Sequence, residues 1–300
     1  MSDDGRHALV AIVFIGSVFS PYYAWARGRA RGRLGACAPA DQHVAVNVAL
    51  YRTDGGPGAR WAMTERGAAA LSRTASQLSI GPSSLRWDGS TLLLQLDEWT
   101  VPWPRRLRGT VRLHPLAPGS AAPFALDADG QHQWWPIAPC ARVEVDLADP
   151  AWRWRGNGYL DSNRGDVPLE DTFVDWQWAR AALDRRHSAV VYDAHERAGT
   201  STRLALCFDA RSGCQGFEAP PLQALPGSGW RVPRAIRSGP GAAPVLRQTL
   251  EDAPFYARSL VQARWLGQPV LAMHESLRLD RFVLPWVLAM LPFRMPRRAG

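Results

Sequence analysis

The chain has no lysine. Its 35 basic residues are all arginine, and they give a net charge of +8 and a pI near 10.0. It also has no C-x-x-C pair, and no histidine cluster stands beside any of its four cysteines, Cys37, Cys140, Cys207 and Cys214. This excludes the usual thiolate spacing of a metal site. A chain of 300 residues needs no disulfide staple, so the cysteines read as reduced thiols, with only Cys207 and Cys214 spaced to meet across a hairpin. No nucleotide-binding motif is present. The apolar run Ala8 to Phe19 is about twelve residues long, too short to span a bilayer as a helix. Together with Ala24-Trp25-Ala26 it imitates a secretory signal, but Asp3 and Asp4 put negative charge where such a signal is positive. The run therefore reads as a buried strand, with Ser2-Asp3-Asp4-Gly5 as a hairpin turn before it.

The arginines are scattered, with local runs at Arg27 to Arg33, Arg105 to Arg108 and Arg294 to Arg298. No recognition-helix or zinc-finger spacing accompanies them, and 14 tryptophans are more than a nucleic-acid module uses. The expectation is therefore no nucleic-acid partner, and an anionic membrane surface as the electrostatic one.

Turn residues are abundant. The 24 prolines and 26 glycines punctuate the chain every dozen residues or so, the spacing of an antiparallel barrel or sandwich. Val44, Val46 and Val48 alternate with smaller residues between His43 and Tyr51. Leu92, Leu94 and Leu96 alternate after a Trp87-Asp88-Gly89-Ser90 turn. Ala189 to Tyr192, Arg203 to Phe208 and Tyr256 to Trp265 are strand-like, and Leu266 to Pro269 turns into Val270 to His274. Helical pattern is scarce: Ala68 to Leu78 is ambiguous, and Asp280 to Leu291 reads as a short amphipathic helix that Pro285 interrupts or begins. No fixed-period repeat is present. The fold class is all-β, with a boundary near Asp149-Pro150 that divides the chain into 1–150 and 151–300.

One stretch stands out chemically. Gly156 to Asp166 reads G-N-G-Y-L-D-S-N-R-G-D, with His132-Gln133-Trp134 before it and Trp176-Gln177-Trp178 after it. It sets a single carboxyl, Asp161, among aromatic rings, which suits acid catalysis on an apolar, electron-rich substrate. On a strand, Tyr159 and Asp161 share a face, as do Trp176 and Trp178. Plainer readings stand beside this one. Asp161 as a turn or capping residue, His132 as an exposed post-turn residue, and Trp134, Tyr159, Trp176 and Trp178 as core rings all fit the same letters. Asp166, Glu170 and Asp171 read as a solvated acidic loop.

Several separate stretches resemble one family in the same order: F-I-G-S-V-F-S-P-Y-Y-A from Phe14, N-V-A-L-Y from Asn47, R-W-A-M-T-E-R-G from Arg60, H-Q-W-W-P-I-A-P from His132, G-Y-L-D-S-N-R-G-D from Gly158 and L-P-F-R-M-P-R from Leu291. By these the chain is similar to the carotenoid 1,2-hydratases, the hydroxyneurosporene synthases of phototrophic bacteria. The resemblance implies two lipocalin-like antiparallel barrels and a lyase that needs no cofactor or metal. Such an enzyme adds water across the terminal C1=C2 bond of acyclic carotenes such as neurosporene or lycopene. It also implies Asp161 as the acid with Tyr159, His132 and Trp134 as its partners. Tyr22, Tyr23, Trp176 and Trp178 are the substrate-binding candidates. Family members carry an aromatic-rich strand before the S-D-D-G turn, so the first barrel is expected to lack its first strand.

The chemistry agrees with those roles. An isolated alkene has no acidic proton, so hydration must begin with proton transfer to carbon. A carboxyl can donate only if it is neutral, and burial against apolar walls raises its pKa. Aromatic faces attract the resulting cation by about 0.5–2 kcal/mol per ring. His132 is suited to orient the acid or the water and to accept the released proton. A C40 polyene is drawn from a bilayer, so the expected location is cytoplasmic and peripheral to the inner or photosynthetic membrane, with other pathway enzymes as potential partners. Phe282 to Phe293, flanked by Arg281, Arg294, Arg297 and Arg298, fits either an interfacial segment or a core helix. Two other functions use the same features: a non-catalytic carotenoid or lipid carrier, and a cyclase or isomerase on the same scaffold.

Overall fold

The computed structural model describes residues 1–31, 37–117 and 119–298; Arg33, within the first arginine run, lies outside them. β1 (His7–Ile15) is followed by α1 (Pro21–Arg31), β2 (Val44–Arg52) and β3 (Arg60–Arg66), and the three strands form an antiparallel sheet with His7 opposite Arg52 and Val44 opposite Arg66. The signal-like run is thus a strand, although most of β1 is only half-buried. The short strands β4 (Leu71–Arg73), β5 (Gln77–Ile80) and β6 (Ser83–Trp87) meander into β7 (Leu92–Trp99) and β8 (Arg106–Pro115). β9 (Phe124–Ala125), β10 (His132–Asp149) and β11 (Trp152–Gly165) complete that sheet, in the order β11-β10-β8-β7-β6-β5-β4 with β9 paired to β10.

After the single-turn α2 (Leu169–Thr172) come β12 (Phe173–Ala182), β13 (His187–Glu196), β14 (Ser201–Asp209) and β15 (Gly213–Gly216). β16 (Leu222–Leu225) pairs with β17 (Arg234–Arg237). β18 (Val245–Ala253), β19 (Tyr256–Trp265) and β20 (Gln268–Arg278) join the previous four as β15-β14-β13-β12-β20-β19-β18. The chain ends with α3 (Leu279–Phe282), α4 (Pro285–Met290) and a 3-10 turn over Leu291–Phe293. Each sheet is an open path among the described residues, so the mostly-β expectation holds with few short helices, and no sheet closes on itself.

Two details refine the sequence reading. Ala68 to Leu78 is a 3-10 turn at Ala68–Ala70 leading into β4 and β5. Asp280 to Leu291 is split, and Pro285 starts α4, where its missing N–H costs nothing. Cys207 faces Gln215 and Phe208 faces Cys214 across the β14–β15 pair. The two cysteines are one step out of register, so their side chains leave opposite faces of the sheet. All four thiols are free.

The chain divides into two compact units, Met1–His114 with Arg142–Gly158 and Pro285–Gly300, and Pro115–Ala141 with Tyr159–Leu284. Both units draw on chain from either side of Pro150. β10 and β11 each change unit part-way, at Ala141/Arg142 and at Gly158/Tyr159. The core of the first unit gathers Val44, Val46, Val48 and Leu50 of β2 with Ile80, Leu94, Leu96, Leu107, Val143, Val145 and Leu147. Opposite them, Ala45 and Met63 pack with Met295 and Leu291, so β2 is buried on both faces. The second unit's core is made of small and branched residues, Ala179, Ala181, Ala189, Val191, Val261, Ala263 and Ala272, under Trp265 and Ile236.

Candidate active site

Within the second unit, β10 and β11 are neighbouring strands, and they carry the residues singled out above. Trp134 is fully buried, paired to Phe124 of β9 with the rings 5.8 Å apart. Its indole Nε1–H donates to Oδ2 of Asp161 at 2.8 Å, and the Tyr159 hydroxyl donates to the same oxygen at 2.9 Å. Tyr159 and Asp161 share a face of β11, as the two-residue spacing requires.

The two donors select one carboxyl oxygen. With both donors on Oδ2, a neutral Asp161 would carry its proton on Oδ1. Burial raises the Asp161 pKa from 3.8 to about 6. The Trp134 and Tyr159 hydrogen bonds oppose that rise, and the negative charge of Glu275 adds to it. Asp161 keeps part of its surface exposed, while its carboxyl is closely surrounded.

Around this acid stands an aromatic wall. On β12, Trp176, Trp178 and Arg180 occupy alternate positions on one face, while Gln177, Ala179 and Ala181 point into the core. The Trp178 ring lies 5.8 Å from that of Tyr159, tilted by 50°. Tyr192 of β13 sits opposite Trp178 in register, and its ring meets Trp134 and Trp176 edge-on at 5.9 and 6.0 Å. Phe173 extends the wall, edge-on to Trp176. The guanidinium of Arg180 lies 5.3 Å over the Tyr159 ring, and burial pulls its pKa below the usual arginine value. Arg180 also donates to the Pro139 carbonyl at 3.3 Å.

His132 stands two residues before Trp134 on β10 but has its own partners. Its Nε2 is 3.0 Å from the Thr172 hydroxyl, its ring packs 4.9 Å from Phe173, and its Nδ1 has no hydrogen-bond partner among the described residues. Burial lowers its pKa, which keeps the imidazole neutral. Gly165 leaves room for it, since a Cβ there would fall 2.4 Å from Nδ1. Far from being an exposed post-turn residue, His132 is buried, its backbone N–H held by Asp127.

Tyr22 and Tyr23 are not part of this cluster. They lie on α1 in the first unit, where Tyr22 packs beneath the Arg297 guanidinium and Tyr23 stacks on His43.

Residues 11–300 match the family described as Carotenoid hydratase CrtC. Two curated relatives, each named acyclic carotenoid 1,2-hydratase, align with the whole chain: one from Rubrivivax gelatinosus at 47% identity and one from Thiocapsa roseopersicina at 50%. The chain covers 72% of each relative's length. The chain belongs to the carotenoid hydratase family. Among solved structures it resembles a crystal structure of a protein assigned as AttH from Nitrosomonas europaea. The TM-score is 0.54 at 14% identity, over 81% of this chain and 83% of that one, a likeness of fold alone.

For a carotenoid hydratase, the residues that the sequence reading passed over are informative. Arg180 continues the Trp176, Trp178 alternation and was legible from the period of two. Tyr192 was legible as a strand residue, but its place opposite Trp178 depends on strand pairing that no local pattern encodes.

Proposed function

We propose that this carotenoid hydratase adds water across the terminal C1=C2 double bond of acyclic carotenes such as neurosporene and lycopene, with Asp161 as the acid. The name shared by its relatives supplies the substrate class. The observation that carries the assignment is the Asp161 carboxyl, held by two donors on one oxygen and raised to about pKa 6 inside an aromatic wall. The Oδ1 proton passes to C2, the alkene's electron pair forms the new C–H bond, and the positive charge settles on tertiary C1. Water then attacks C1, and the proton it releases returns to the Asp161 carboxylate. The sum is one water added, with the acid regenerated.

Each partner has a separate task. Trp134 and Tyr159 hold Oδ2 and so aim Oδ1. The rings of Trp134, Trp176 and Tyr192 shelter the cation. Tyr159 acts mainly through its hydroxyl, because a guanidinium already lies over its ring. His132, bonded to the Thr172 hydroxyl and packed on Phe173, braces the wall beside the acid. Trp178 and Trp176 bind the polyene. No cofactor enters these steps.

The accompanying fold reading is two lipocalin-like halves. It is supported by the antiparallel meanders β4–β8 and β12–β15 on either side of the β10–β11 pair. We place the enzyme at the cytoplasmic face of the photosynthetic or inner membrane, in peripheral contact, because its substrate dissolves only in lipid. No described helix is long and apolar enough to cross a membrane.

The test is expression in cells that accumulate lycopene or neurosporene, beside Asp161→Asn, with pigments resolved by chromatography and mass. A product heavier by one water, absent with the variant, is the expected result. Unchanged pigment from folded wild type would favour a carrier. An isomeric product of unchanged mass would favour a cyclase.

A further inference from the structure

The first unit carries an apolar surface that its own fold does not cover. α4 holds no charged residue; Val287 points inward, and Leu291, one turn on, packs against the Ala45, Met63 and Met295 core. The opposite face presents Trp286, Met290 and Phe293, at spacings of four and three residues, with 48%, 41% and 78% of their surfaces exposed. On a helix in water that outer face is ordinarily polar. Here both faces are apolar.

The same surface is strongly basic. The tail continues with exposed Arg294, Arg297 and Arg298, and α1 adds Arg27, Arg29 and Arg31 beside Trp25, which is 37% exposed. Arg297 connects the two segments, since its guanidinium packs on Tyr22 of α1 while it pairs with buried Glu65 of β3. The tail is fixed further by backbone hydrogen bonds from Glu65 N to Pro296 O and from Arg298 N to Glu65 O. Across residues 21–31 and 285–298 there are six arginines and no acidic residue.

Exposed Trp, Met and Phe ringed by arginine, on a tail clamped to a sheet, form a preset interfacial surface rather than a loose one. We propose that α4, the 3-10 turn after it and α1 together dock this protein on an anionic bilayer, with Trp286 and Phe293 inserted at the headgroup boundary and the arginines on lipid phosphates. Charge complementarity selects the occupant: a second copy of the chain would bring another surface with six arginines and no acid against this one. The proposal rests on the carotenoid reading only for its consequence, delivery of a membrane-dissolved substrate.

The experiment uses the full chain, with vesicles of phosphatidylcholine alone or with 30% phosphatidylglycerol, in a flotation assay. Wild type should bind the anionic vesicles, and release in 0.5 M salt. Trp286→Ser with Phe293→Ser should bind at least tenfold more weakly, and so should Arg294→Gln with Arg298→Gln. Both variants should hydrate detergent-dispersed carotene at the wild-type rate and lose activity only on carotene held in vesicles. Wild type that ignores anionic vesicles, or a variant that floats as well as wild type, would overturn the proposal. So would a wild-type dimer that becomes monomeric in the double aromatic variant, which would make the face a self-interface. Absence of hydration in detergent by wild type, with vesicle binding intact, would overturn the hydratase reading and leave the docking face standing.

Discussion

Replacing Asp161 by asparagine should stabilise the protein in a pH-dependent way while abolishing hydration. The wild-type carboxyl has a folded pKa of about 6 against 3.8 for an unperturbed group. Because the folded value is raised, the fold prefers the neutral acid, and stability is lost as pH rises from about 4 to about 6. Fully expressed, a rise of that size costs about 3 kcal/mol above pH 7. Asp161 is partly exposed, so solvent screens some of this, and about 1–3 kcal/mol is the working figure. Asparagine keeps an oxygen for the Trp134 and Tyr159 donors and has no charge to desolvate. Near pH 4 both proteins are neutral at this site and should have similar urea midpoints. By pH 8 the variant should be the more stable, with the gap opening between those limits. A gap independent of pH, or a variant less stable at pH 8 than at pH 4 relative to wild type, would refute the reasoning, because the carboxyl would not be strained by burial.

Other perturbations test the neighbours. Trp134→Phe removes one donor from Oδ2 and should raise the Asp161 pKa, moving the alkaline limb of the kcat/KM profile upward, at a stability cost of about 1–3 kcal/mol. Tyr159→Phe removes the other donor but keeps the ring under Arg180, so kcat should fall with KM little changed, as steady-state kinetics would show. Gly165→Ala drives a methyl into His132 and should cost about 1–3 kcal/mol by thermal or urea unfolding. Arg66→Leu leaves Glu98, bonded at 2.8 Å by both Arg66 and Ser83, buried without its cation, and should destabilise by about 3–5 kcal/mol near neutral pH on the same measure.

Part of the sheet was legible because alternation marks a core face. In β7 Leu94 and Leu96 alternate and enter the core, and in β2 Val44, Val46 and Val48 supply one of two buried faces. The Asp88 turn is legible for a similar reason, since its carboxylate accepts the Ser90 and Thr91 N–H groups while Gly89 takes a positive φ of 100°. β10 was harder to see. Pro136 and Pro139 break its hydrogen-bonding pattern, although the strand runs from His132 to Asp149. The two prolines are held from outside the strand: Ser120 N–H donates to the Pro136 carbonyl and the Ser188 hydroxyl to that of Pro139. α1 carried a legible signal that was passed over. Ser20 accepts the Tyr23 N–H and Pro21 opens the helix, a serine cap followed by proline. The interleaving of the two units through β10 and β11 has no local signature. Nor has the separation of Tyr22 and Tyr23 from the Asp161 cluster.

If Asp161 is the acid, as proposed, its cluster sets opposing influences on it. Burial alone would push the carboxyl to a pKa at which it is always protonated and too weak to protonate carbon. Hydrogen bonds alone would leave it ionised and empty of its proton. At about 6 both forms are populated around neutral pH, which keeps both acid strength and population usable. Hydrogen bonds to a carboxylate are roughly twice as strong as those to a neutral acid. In the proposed mechanism the Trp134 and Tyr159 donors on Oδ2 would therefore tighten as the proton leaves Oδ1, and would stabilise the carboxylate formed beside the cation more than the resting acid. Both donors sit on neighbouring strands, one of them buried outright, so in the proposed step this stabilisation would need little reorganisation.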